Sequence, residues 1–304
     1  MKKAIFRILI LVVLLIVFAV YVERQQSSVV PEVIKEIEEE KVPEKLFSIS
    51  PEIISPGDPI MITSLASSSV STISFDGKNL PILSCEERSC SFVPIDFNEK
   101  KLDHVVQINL SNGMTITEQI SLILREKIER PLGIPEKLGG NTPEAEKALV
   151  NNLAKENAIL NGVKTEQKQL WTEKFGLPLQ SIFITDDYGY DRKTVNSTIV
   201  HKGTDFRAAE GIEVKALNDG VVKIAQTFTV YGNTVVVDHG FGIQSLYMHM
   251  SKLDVKEEDK VIAGQRLGLS GKTGYAEAAH LHLSIKINGI SIDPMIFLRF
   301  FTVI

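Results

Sequence analysis

In "HKGTDF", His201 and Asp205 are separated by three residues, and in "HLHLSI", His280 and His282 stand two positions apart. Five of the six histidines fall between 201 and 282, with Asp205 among them, the strongest concentration of chemistry in the chain. Either pair alone arises by chance. With His249 they make five groups, and a catalytic zinc takes three protein ligands from His, Asp or Glu while keeping a fourth position for water. Zinc lowers the pKa of its water toward about 7 and polarises a carbonyl, and a further imidazole moves the proton. The chemistry on offer is attack of water on a carbonyl.

Such residues must be aimed by rigid elements. In "HLHLSIKI" strand alternation puts His280, His282, Ser284 and Lys286 on one face and Leu281, Leu283, Ile285 and Ile287 on the other. The apolar face takes the core, so the histidines are expected to face solvent or a cleft. The same parity in "QSLYMHMS" sets Ser245, Tyr247 and His249 on the polar face against Leu246, Met248 and Met250. Gly203 is expected to let the backbone bend so that His201 and Asp205 converge. His239, at a turn before Gly240 and Gly242, and His104, in a strand with no ligand neighbour, read as structural.

From Phe183 onward the chain is dense in strands and glycine turns, with almost no helical pattern. Upstream, Thr142 and Pro143 form a helix start, after which Ala145, Ala148, Leu149, Val150 and Leu153 recur at helical spacing until Asn161 and Gly162 end it. That stripe reads as a docking face, with Trp171 as an anchor in the packing. Residues 46–125 show short alternating runs broken by Gly, Pro, Asn and Asp, the pattern of a small β-sandwich. Within it, Cys85 and Cys90 flank a polar turn at a spacing that suits a hairpin disulfide, which persists only in an oxidising compartment.

The first 24 residues differ. Lys2, Lys3 and Arg7 precede the apolar run Ile8 to Val22, which makes about 22 Å of helix and nearly spans a bilayer when counted from Ala4. Bulky residues around Ala19 argue against signal cleavage, so an uncleaved anchor is expected, with the bulk of the chain outside the cytoplasmic membrane. Residues 25–45 read as an acidic spacer. The expected organisation is thus an anchor at 1–24, a linker at 25–45, a β domain at 46–125, a linker with a helix at 126–170 and a site-bearing domain at 171–304. With 33 Lys and Arg against 38 Asp and Glu, net charge −5 and no long basic run, nucleic acid is a poor partner.

"HKGTDF", "VKALNDGVV", "YGNTVVVDHG", "LYMHMS" and "HLHLSI", in this order, resemble the lysostaphin/LytM-like zinc endopeptidases, which cut peptide bonds in peptidoglycan. The resemblance covers about residues 170–295. It implies that His201, Asp205 and His282 bind Zn2+ and that His249 and His280 flank the water and the scissile carbonyl. It also implies an antiparallel, barrel-like β fold of the duplicated hybrid motif type. The mainly β reading above agrees. The implied partners are peptidoglycan peptides, while the N-terminal apolar run adds the membrane as a partner; a regulatory protein partner is not legible.

The chain departs from that pattern at "YAEAA" before the HxH pair and at Leu283 and Ser284 after it; neither change removes a ligand. Tyr188, Tyr190 and Arg192 either line the groove or pack at the surface and are left outside the expected site. Two alternatives stand beside the enzyme: a metal-free LytM-like protein that binds the wall or activates a hydrolase, and a biotinyl/lipoyl-type carrier suggested by "VKALNDGVV". The carrier leaves the clustered histidines unexplained.

Overall fold

The computed structural model describes residues 46–65, 69–85, 88–172 and 174–301. The expected anchor at 1–24 and linker at 25–45 lie outside them; among the described residues no helix is long and apolar enough to cross a membrane. Two four-stranded antiparallel sheets come first. One has the spatial order Phe47–Ser50, Pro59–Ser64, Arg88–Pro94, Leu83–Cys85, the other Lys78–Asn79, Val70–Phe75, Asp103–Leu110, Thr115–Ser121. Alternation is plain in Asp103–Leu110, where His104, Val106, Ile108 and Leu110 point inward to meet Ile60, Ile62, Ile73 and Val93. His104 contacts only its own domain: Nδ1 lies 2.9 Å from Asp76 Oδ2 and Nε2 lies 3.0 Å from the Lys101 carbonyl. Cys85 and Cys90 form a disulfide across the hairpin.

Strand Arg88–Pro94 is buried on both faces over Cys90 to Val93. The reason is that its outer face does not meet water: Leu83, Cys90 and Phe92 belong to the core of the C-terminal region, with the Phe92 ring 5.6 Å from that of Phe297. Arg125, in the connection, pairs with Asp58 on one side and with Asp293 on the other, at 3.4 Å from the latter. Burial pushes the Asp58 carboxyl up to about 6, against the opposing pull of Arg125.

The C-terminal region is built on an antiparallel sheet with the order Ile184–Asp186, Thr204–Arg207, His280–Ile287, Ile243–Met250, Gly232–Gly240, Gly220–Phe228, Lys260–Val261; Ile290–Ile292 adds to His280–Ile287. The family resemblance implied a barrel-like form, but this sheet is open. Its end strands are three and two residues long and do not pair with each other, too short to carry a closing ladder. One face is covered by hydrophobic packing that includes Trp171, Phe175, Phe206 and Leu267, the last from the small sheet Glu213–Lys215, Arg266–Leu269 and Lys252–Leu253.

Helix Pro143–Asn161 packs on the other face. Thr142 Oγ1 accepts from the Ala145 N–H, Pro143 occupies the first turn, and Gly162 ends the helix, so both limits follow from local chemistry. Leu160 meets Val236, Leu246 and Met248 of the sheet, and Ala145 and Leu149 meet Val230. Ala148 and Val150, expected on the docking face, are exposed. The helix also buries Glu146 and Glu156. The Glu156 carboxylate accepts from the backbone N–H groups of Thr229, Val230 and Tyr231 at 2.7–3.2 Å and so holds that turn.

Candidate metal centre

Strand register creates the site. Thr204–Arg207 runs antiparallel to His280–Ile287 with Asp205 directly opposite His282, while His201 sits just before the first of these strands. His201 Nε2 lies 3.2 Å from Asp205 Oδ1 and 3.0 Å from His282 Nδ1, and His282 Nδ1 lies 2.7 Å from Asp205 Oδ1. All three residues are buried. Gly203 serves this meeting differently from the expected bend: it lacks a positive φ, and its hydrogens face the His282 ring. A Cβ there would come 2.3 Å from His282 Nε2 and 2.6 Å from the Leu283 carbonyl oxygen.

Hydrogen bonds fix the tautomers. A backbone carbonyl only accepts, so His201 Nδ1 must donate to the Asp187 carbonyl at 2.7 Å, leaving a lone pair on Nε2. Ser284 donates its hydroxyl hydrogen to the Lys202 carbonyl and therefore accepts from His282 Nε2–H at 2.9 Å, leaving the lone pair on His282 Nδ1. With both imidazoles neutral, two ring lone pairs and a carboxylate oxygen thus converge with no proton between them. Three acceptors in that position repel one another unless a cation joins them. Two ligands at about 2.0–2.1 Å in a tetrahedral shell lie about 3.3 Å apart, close to these separations. The donor set therefore fits a metal ion held by two imidazoles and a carboxylate.

The charge states agree. Burial holds the His282 imidazole down at about 4 in spite of Asp205 beside it, so it is neutral at pH 7. Burial works to raise the Asp205 carboxyl, but His201 and His282 outweigh it and hold that group well below its ordinary value. A neutral imidazole and an ionised carboxylate are the forms that bind metal.

His249 and His280 flank the triad, their rings 4.8 Å apart, with the His249 ring 6.1 Å from that of His282. His249 donates through Nδ1–H to the Thr273 carbonyl at 2.9 Å and His280 likewise to the Ala278 carbonyl at 2.9 Å, so each keeps Nε2 free. His280 Nε2 lies 3.8 Å from Asp205 Oδ1. Burial first, then the neighbouring His280 and His282, hold the His249 imidazole down at about 3.

The face expected for His249 needs correction. Tyr247 is fully buried in the core, its hydroxyl accepting from the Leu217 N–H at 2.8 Å, while Leu246 and Met248 face the helix and the cavity. His249 reaches the cavity because its φ is 63°, a left-handed conformation that breaks the alternation at the strand end. His239 is structural: Nδ1 donates to the Asp219 carbonyl at 2.7 Å, and Nε2 meets Ser245 Oγ at 2.8 Å.

Arg192, left outside the expected site, belongs beside it. Its guanidinium bonds Asp186 Oδ2 through Nε at 2.9 Å and also grips Asp205 Oδ2, the oxygen turned away from the histidines. Tyr188 instead packs in the interior against Phe97, and Tyr190 donates to Asp187 Oδ2 at 2.8 Å. Ser284 could have been found from the shared face of its strand; the carbonyls of Asp187, Thr273 and Ala278 leave no trace in residue type.

Residues 199–294 match the model of peptidase family M23, and this stretch contains the whole constellation. The chain carries an M23 peptidase domain. Over 95 residues it is 41% identical to the peptidoglycan DD-endopeptidase ShyA of Vibrio cholerae, covering 31% of this chain and 22% of that one. Over 105 residues it is 41% identical to the glycyl-glycine endopeptidase ALE-1 of Staphylococcus capitis, covering 33% and 29%. Over 134 residues it is 33% identical to the DD-carboxypeptidase/endopeptidase Mpg of Neisseria meningitidis, covering 43% and 31%. The chain thus spans less than a third of the length of each of these relatives. A crystal structure of a Pseudomonas aeruginosa protein described as an M23 peptidase candidate matches with TM-score 0.57 at 24% identity, covering 80% of this chain and 94% of that one. That likeness is one of fold, and it takes in more than the M23 domain.

Proposed function

We propose that this protein is a zinc-dependent endopeptidase acting on peptide bonds of peptidoglycan. The observation that carries the reading is the convergence of His201 Nε2, Asp205 Oδ1 and His282 Nδ1 with no shared proton, beside two further imidazoles. Zinc held by these three atoms would supply the Lewis acidity that acidifies water and polarises a scissile carbonyl. The remaining work falls to the chain. Nδ1–H of His249 and of His280 is tied to a carbonyl, so Nε2 is the basic atom of each ring. An imidazole there takes the proton of the attacking water at Nε2 and returns it to the departing amine nitrogen. Arg192 holds the far oxygen of Asp205 and so keeps the carboxylate oriented.

A cavity of about 520 Å³, lined by His201, His249 and His282, leaves room for a peptide. Peptidoglycan as the substrate is supported by the relatives whose activities are named above. The apolar run at Ile8 to Val22 and the Cys85–Cys90 disulfide support a chain anchored in the cytoplasmic membrane with its bulk outside.

The test is digestion of purified sacculi with the full chain, released muropeptides being identified by mass spectrometry. Chelation or His282→Ala should abolish release, and activity surviving either would refute the mechanism. His282→Ala should lose the metal, whereas His280→Ala should retain about one zinc per chain and lose rate by about 10²–10⁴-fold. Equal zinc loss in both would refute the division of roles. A wild-type chain that binds no zinc would favour the wall-binding or activating alternative.

A further inference from the structure

The cavity lined by His201, His249 and His282 is also lined, along the same face of strand His280–Ile287, by Ser284 and Lys286, and by Lys202. Lys286 shares the face of His282 and Ser284, lines the same cavity and is only 5% exposed. Its ammonium carries three N–H donors, and the hydrogen bond it makes is to a neutral amide, Asn161 Oδ1, at 2.6 Å. Among the described residues no carboxylate lies within ion-pair distance of it, and its charged neighbour is Lys202, a like charge that also lines the cavity. Arg192 lines the cavity as well, but Asp186 and Asp205 occupy it. Among the described residues the one acidic side chain on the wall is Asp96. A chain of net charge −5 has thus set two lysines on this pocket, Lys286 buried and Lys202 exposed, and among the described residues neither has a carboxylate within ion-pair distance.

Burying an unpaired ammonium is unfavourable, and a ligand anion is what would relieve it. We propose that Lys286, seconded by Lys202, is a subsite for a carboxylate of the bound peptide. Lys286 stands four positions beyond His282, about 13 Å along the strand. An extended peptide cut at the histidines reaches that far with about four residues. The substrate class is therefore a peptide bearing a free carboxylate three to four residues from the scissile bond, supplied either by its C-terminus or by an acidic side chain. Burial and then Lys202 push the Lys286 ammonium down to about 8, and an anion beside it would draw it up again. This subsite rests on the peptidase reading only for the identity of the peptide.

The test measures binding apart from cleavage. Chelator-treated full chain, which removes any carboxylate bond to the metal, is titrated calorimetrically with three synthetic peptidoglycan stem peptides. One has all carboxylates free, one is amidated at the C-terminus and one is amidated at the side chain. Wild type should bind one of the amides tenfold or more weakly than the acid, and which one identifies the source. Lys286→Met should bind acid and amides alike, Lys286→Arg should keep the preference, and Lys202→Ala should reduce it only in part. Should Lys286→Met fail to fold, the wild-type and Lys286→Arg comparisons decide alone. Equal wild-type binding of acid and amides, no binding of any probe, or a preference that survives in folded Lys286→Met would overturn the subsite. Hydrolysis of all three probes at equal efficiency by the zinc-loaded protein would remove the subsite and leave the peptidase. Acid-selective binding with no hydrolysis would do the reverse.

Discussion

Gly203→Ala isolates the packing beneath the candidate metal site. The added methyl would sit 2.3 Å from His282 Nε2, 2.6 Å from His282 Cε1 and 2.6 Å from the Leu283 carbonyl oxygen. None of these is a free end: the ring is held by Ser284 on one side and by Asp205 on the other, and the carbonyl belongs to the central strand. The ring must therefore move, or the strand must. Overpacking of a rigid interior costs about 1–3 kcal/mol, and for a unit of this size about 2 kcal/mol lowers Tm by about 4–8 °C. A displaced His282 also loses its bond to Ser284, and breaking such a support weakens metal binding by about 10–100-fold. Zinc competition against a chromogenic chelator and thermal melts of the metal-free chain read the two effects separately. Introducing Gly203→Ala into His282→Ala, which relieves two of the three contacts, should lower Tm by less than it does in the wild type. Wild-type zinc affinity together with wild-type Tm in Gly203→Ala would refute the close-approach argument.

Two further outcomes follow from buried groups away from the candidate metal ligands. Glu156→Ala strips a carboxylate from three backbone N–H groups in the turn 229–231, so it should destabilise the fold by about 3 kcal/mol; a Tm within 2 °C of wild type, in melts where about 2–4 °C corresponds to 1 kcal/mol, would contradict it. Burial keeps His239 neutral down to about 4, below the 6.5 of an exposed imidazole. Below 6.5 the unfolded chain takes up a proton that the folded chain refuses. This contribution is therefore complete above 6.5 and lost as the pH falls toward 4, a change of about 3 kcal/mol. Urea melts across that window should show a shallower decline in His239→Gln than in wild type, and parallel curves would remove His239 as the cause.

Part of this site is written in local sequence. The alternation of His280 to Ile287 is two-sided, apolar against polar, and a strand with one side in the core has one way to face. The helix limits at Thr142 and Gly162 are equally local, since capping and the missing proline N–H act within a few residues. Nothing in the residue types separated the two faces of Ile243–Met250, because both are buried: one by the main core, the other by helix Pro143–Asn161. There Tyr247 went inward with its hydroxyl satisfied, and His249 reached the cavity only through a left-handed backbone.

The residue sequence by itself determined the five groups from which the donors come and the strand that carries two of them, His280 and His282; it marked Gly203 for a bend, whereas the structure uses it to admit the His282 ring. Only the tertiary structure decided which nitrogen of each imidazole is free, because that depends on carbonyls and a hydroxyl brought up from other segments. It alone showed Arg192 on Asp205, an open sheet in place of a barrel, and Lys286 buried without a carboxylate. The physical reason is the same throughout. Spacing along a chain fixes which side chains share a face, whereas burial, tautomer and charge depend on what distant segments place against that face.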